Sequence, residues 1–117
     1  MKFEHSSIQA ESSEANFHNI IRLLAESGGR LSLAEAAQMA GLSACRFSHV
    51  FKEAKGFSFR EARQRAKLEM AASLLSVTGL RVARIAEISG YSDLSKFGVA
   101  FRRHFGVSPR SFRNGCA

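Results

Sequence analysis

One pattern of residues occurs twice in this chain, and few folds accommodate it. Leu31, Leu33, Ala36, Ala37, Met39 and Gly41 recur 49 positions later as Leu80, Val82, Ile85, Ala86, Ile88 and Gly90. One extra residue then shifts the spacing to 50. From there Ser43, Phe47, Val50, Phe51, Lys52, Gly56 and Ser58 recur as Asp93, Phe97, Ala100, Phe101, Arg102, Gly106 and Ser108. Each copy is a short run with apolar residues at helical spacing, a glycine, a capping residue and a second such run. Two helices joined by a tight glycine turn form a helix-turn-helix unit, and this chain encodes two.

The punctuation along the chain sets the helix limits. Residues 1–13 are polar and read as a flexible N-terminal tail. Phe17, Ile20, Ile21 and Leu24 form one apolar stripe of a first helix that starts at Glu14 and stops at Gly28-Gly29. Ser32 with Glu35 three residues on predicts a capping box and a helix over about 33–40 that buries Leu33, Ala36, Ala37 and Met39. Ser43 starts the next helix, which turns Phe47, Val50, Phe51 and Ala54 inward and ends at Gly56. Ser58 caps a long helix to about Val77, and the cycle then repeats through Asp93 to a last short helix begun by Ser108-Pro109. No alternating strand pattern appears, so the predicted fold is all-α. It comprises seven helices in two homeodomain-like subdomains, 14–57 and 79–117, joined by a linker helix over 58–78.

Charge narrows the partner. The formal net charge is +7. Residues 1–27 hold only Lys2 and Arg22 against Glu4, Glu11, Glu14 and Glu26, so the positive excess lies entirely in the repeated part. A basic surface on a repeated helix-turn-helix points to double-stranded DNA. Cys45 and Cys116 make no metal spacing and no disulfide framework, and His5, His18 and His104 show no ligand spacing. No paired acid and base, phosphate-cradling loop or cysteine cluster supports catalysis, so the chain is read as no enzyme, with no cofactor and no metal. The absence of an apolar N-terminal run or of about 18 consecutive apolar residues argues against secretion and membrane spanning, and makes the cytoplasm the expected compartment.

The second helix of such a unit enters the major groove, led by its N-terminal residues. In the first unit the side opposite the phenylalanines carries Cys45, Ser48, His49 and Lys52, with Arg46 beside it. Arg46, Ser48 and His49 suit base edges, and Lys52 suits phosphate. In the second unit the same side carries Ser95, Gly98, Val99 and Arg102, flanked by Leu94 and Lys96. Val99 suits a thymine methyl and Gly98 a close backbone approach. The first unit is therefore expected to carry more sequence information, and the second more backbone affinity. A linker helix of about nineteen residues spans roughly 28 Å, near one turn of B-DNA, and Arg60 and Arg63 on it are candidates for phosphates.

The run Ile85-Ala86-Glu87-Ile88-Ser89-Gly90-Tyr91, continued by Phe97, Phe101, Phe105-Gly106, Ser108-Pro109 and Phe112-Arg113, resembles the DNA-binding domain of the AraC/XylS family of bacterial transcription regulators. Phe51 through Phe59 in the first unit fits the same pattern, and the resemblance covers about residues 14–114. It departs from the frequent arginines at His49 and Val99, from a linker arginine at Lys67 and from a tyrosine at Ala62. The resemblance implies two helix-turn-helix subdomains on an asymmetric promoter, activation through RNA polymerase, and base contacts from Cys45, Arg46, Ser48, His49, Leu94, Ser95, Lys96, Gly98 and Val99. The thirteen residues before the first helix are too few for the effector or dimerisation domain usual in the family, so the chain is expected to be either a short stand-alone regulator or the C-terminal piece of a longer protein, monomeric as this chain. A protein-interaction module acting on RNA polymerase or another regulator is the alternative, prompted by the apolar second recognition helix.

Overall fold

The computed structural model describes residues 17–115. The polar tail, the start of the first helix and Cys116 lie outside them. Among the described residues there are seven helices and no strand. They are α1 (17–27), α2 (Leu33–Ala40), α3 (Ala44–Lys55), α4 (Phe59–Val77), α5 (Val82–Ile88), α6 (Leu94–Phe105) and α7 (Pro109–Arg113). The chain divides into two compact units, Met1–Arg63 and Gln64–Ala117, with the division inside α4.

The helices begin where the side chains cap them. The Ser32 hydroxyl accepts from the Glu35 backbone N–H (3.1 Å) while Glu35 Oε1 accepts from the Ser32 N–H (2.9 Å), which satisfies two otherwise orphaned donors. Ser58 and Glu61 repeat the box at the start of α4. Ser43 caps α3, Ser108 caps α7, and Asp93 Oδ1 accepts from the backbone of Ser95 (2.7 Å) and Lys96 (3.4 Å) at α6. Of α2 to α7, only α5 begins without a side-chain cap, at Arg81. Its hold comes from Ile85 and Ala86, both buried.

In the first unit, Phe17 of α1 meets Phe47 and Phe51 of α3 edge-on, with ring centres 5.8 and 5.6 Å apart. Phe59 closes on the same two rings at 5.4 and 5.7 Å. Edge-to-face packing of this kind adds to the burial itself. In the second unit Phe97 and Phe101 pack with Leu68, Ala71, Ala72, Leu75, Ile85 and Ala86, and Tyr91, Phe105 and Phe112 lean on them. Phe47, Phe51, Phe97 and Phe101 have no exposed surface, which makes them core rather than platforms for bases.

Ala36 and Ala37, and Ile85 and Ala86, are buried where the helices of each unit cross, and the small alanines let the backbones approach. The turns need positive φ, which Gly41 (72°) and Gly90 (92°) supply without a Cβ clash. At Gly90 it is φ and not space that calls for glycine, because a Cβ there would make only ordinary contact, 3.6 Å from the flexible end of the Lys67 side chain.

Two positions expected on the core side are exposed. Met39 is 39% exposed; it lies roughly 110° around the short α2 from the stripe centred on Ala36 and Ala37, at 100° per residue. Ala54 follows the stripe of α3 but falls in its last turn, where it stays exposed.

Arg63, a phosphate candidate in the sequence, also has a partner within the fold. Half-buried, it donates Nε–H to the carbonyl of Gly29 (3.4 Å), just past the end of α1. Arg113, 50 residues later, donates from Nε to the Leu75 carbonyl (3.2 Å) and from its other guanidinium nitrogen to the Thr78 carbonyl (3.2 Å). Each unit thus uses an arginine to cover the C-terminal carbonyls of the helix before its helix-turn-helix, where the helix dipole favours a cation.

Candidate nucleic-acid interface

The surface of α3 follows from its core. With Phe47 and Phe51 inward, the helical period turns Cys45, His49 and Lys52 outward and leaves Ser48 at the half-buried margin, with exposed Arg46 beside them. The five predicted side chains of the first unit therefore share one side of one helix. Cys45 is a free, exposed thiol. The Ser48 hydroxyl donates to the Ala44 carbonyl (3.0 Å), so its proton is spent on the helix and its oxygen remains an acceptor. Arg46, His49 and Lys52 make no side-chain hydrogen bond or ion pair within the described residues.

A cavity of about 440 Å³ lies beside this surface, lined by Ser48, His49, Lys52, Glu53 and Ser58. Glu53 was not among the expected site residues; its place four residues after His49, one turn along the same helix, is the signal that identifies it. A second cavity of about 340 Å³ is lined by Leu33, Ser48, Ser58, Phe59, Arg60 and Arg63. Arg60 remains exposed at its edge, whereas Arg63 is held on Gly29.

On α6 the same rotation buries Phe97 and Phe101 and exposes Leu94, Ser95, Lys96, Val99 and Arg102, with Gly98 half-buried between them. Leu94 is 50% and Val99 59% exposed. The last turn carries Arg102, Arg103 and His104. Cations there suit both the helix C-terminus and an anionic partner. An ion pair, Arg84 with Glu87 (2.9 Å), sits on α5, and both partners are mostly exposed. No cluster of His, Cys, Asp or Glu among the described residues is built to hold a metal. No helix among them is long and apolar enough to cross a membrane.

Known proteins show the same architecture. The family described as "Helix-turn-helix domain" matches residues 36–115. The arabinose operon regulatory protein of Escherichia coli (strain K12) is 34% identical over 84 residues, covering 72% of this chain and 29% of that protein. The transcriptional activator NphR of a Rhodococcus species is 37% identical over 83 residues, covering 71% of this chain and 24% of NphR. This chain thus spans under a third of the length of these relatives. Among solved structures, the C-terminal domain of AraT, a response regulator from Geobacillus stearothermophilus, superposes with a TM-score of 0.71 at 29% identity, covering 86% of this chain and 84% of that one. With its duplicated helix-turn-helix units and exposed second helices, the chain belongs to the AraC/XylS family of transcription regulators and has the fold of their DNA-binding domain, not of an enzyme.

Proposed function

We propose that α3 and α6 each enter the major groove of promoter DNA and read it in a sequence-specific way, one chain per site. The observation that carries this reading is that the outward side chains of both helices are left unused by the fold. Arg46, His49 and Lys52 on α3, and Lys96 and Arg102 on α6, are exposed and bonded to nothing else among the described residues. On α3, Cys45, Arg46, Ser48 and His49 face base edges and Lys52 a phosphate. On α6, Leu94, Ser95, Lys96, Gly98 and Val99 face the bases and Arg102 the backbone. Residues 14–57 and 79–117 act as the two reading subdomains, with 58–78 as their linker. Bound at a promoter, the chain raises transcription through contact with RNA polymerase in the bacterial cytoplasm, a role in keeping with the activator name of one relative.

The exposed Leu94 and Val99 favour a second reading, in which α6 meets a protein such as RNA polymerase and only α3 reads DNA. Selection from a random duplex pool at near-physiological salt separates the two. An asymmetric motif with two informative patches supports reading by both helices. A single patch leaves α6 to the protein, and no enrichment at all overturns the DNA-reading role.

A further inference from the structure

Gly98 has no reason inside the protein to be glycine. It lies in the middle of α6 without positive φ, and a Cβ built on it would meet nothing within 4 Å. Glycine destabilises a helix interior relative to alanine, so the fold alone would do better with the methyl. What the missing side chain leaves is a notch in the exposed side of α6. Leu94 stands one turn before it and Arg102 one turn after, with Val99 on its flank. The equivalent positions of α3, 50 residues earlier, are Ala44, Ser48, Lys52 and His49, so this apolar character belongs to the second unit only.

The partner of this surface is anionic. The sequence of α6 contains no carboxylate and carries Lys96, Arg102 and Arg103. Of its aromatic rings, Phe97 and Phe101 have no exposed surface and half-buried Phe105 packs on Phe101 and Phe112, which leaves no fully exposed Phe, Tyr or Trp of the kind that anchors protein interfaces. The one apolar group that the bases present in the major groove is the 5-methyl of thymine. We infer that Leu94, Gly98 and Val99 form a reader of thymine methyl groups, with Gly98 letting the helix backbone descend to the groove floor. The inference rests on the proposed entry of α6 into the major groove.

The test uses the full chain and the duplex obtained by selection, in which each thymine is replaced singly by deoxyuridine. The pairing is unchanged and only the methyl is lost. Within the patch whose readout Leu94→Ala and Val99→Ala alter, each uridine that removes a read methyl is expected to weaken binding about fourfold, the transfer value of one buried methyl-sized group. Val99→Ala and Leu94→Ala are expected to bind the thymine and uridine duplexes alike; both side chains are half-exposed or more, so the variants keep their fold, as a melt verifies. Gly98→Ala is expected to raise Tm and weaken binding to the selected duplex. Selection of a two-patch site that tolerates uridine at every thymine overturns the methyl reader and leaves the proposed function standing. A Gly98→Ala variant that is more stable and binds equally well overturns the role of the notch. If the pool yields one patch or none, α6 does not read DNA, and both the reader and its entry into the groove are overturned.

Discussion

Arg46 is the residue on which reading by the first unit is most exposed to test. It is the third residue of α3, in the first turn, exposed and unpaired, and its backbone N–H is tied to the Ser43 cap (3.2 Å), which fixes where the side chain starts. Arg46→Ala is predicted to lose about 1–3 kcal/mol of discrimination between the selected site and a one-base variant. Competition titrations of the two duplexes measure it, and an equal loss on random DNA makes Arg46 a phosphate contact. Glu35 gives a prediction in pH. The Ser32 backbone N–H, and then its hydroxyl, hold the Glu35 carboxyl below its ordinary 4.5. The folded value lies below the unfolded one, so the capping box contributes fully above the unfolded value and is lost as pH falls through the folded one. The Tm difference between the chain and Glu35→Gln is therefore expected to be constant near neutrality and to shrink below about pH 4.5.

At the scale of the helices, each unit stands on rings that the period of its second helix turns inward. Phe101 has no exposed surface and touches Phe97, Phe105 and Phe112 with ring centres 5.7, 4.5 and 5.4 Å away. Phe101→Ala is predicted to cost about 3–5 kcal/mol of stability by leaving a cavity that α7 and α4 cannot fill. Chemical denaturation measures it, and a loss near zero contradicts the packing described for α6. Helix limits were legible in the residues because caps and glycines are local: Ser32, Ser43, Asp93 and Ser108 bind N–H groups two or three residues away. Burial was legible only where the stripe meets a partner helix, which is why Met39 and Ala54 turned out exposed. The bond from Arg63 to Gly29 joins residues 34 apart and gives no sequence signal beyond a basic residue on a polar helix side. Its twin, Arg113, lies 50 residues on, and nothing in the sequence marks the carbonyls it covers.

For the whole molecule, the duplication matters more than either copy. Two units with separate cores place two exposed recognition helices in one polypeptide, one polar and one apolar in character. The outward side chains of α3 and α6 were legible as a set, because a core stripe on a helix defines the opposite side. The task of each was less so: the Ser48 proton is taken by Ala44, Glu53 borders His49, and Gly98 proves to have open space around it. On the proposed reading, the positive charge concentrated beyond residue 27 supplies affinity for any duplex, and the two helices supply the preference. The most direct measurement is titration of the chain against its selected duplex and a scrambled one over a range of salt concentrations, with stoichiometry determined in the same experiment. The account predicts one chain per duplex, affinity falling steeply with salt, and a preference for the selected site of at least about a thousandfold. Equal affinity for both duplexes at every salt concentration would contradict it.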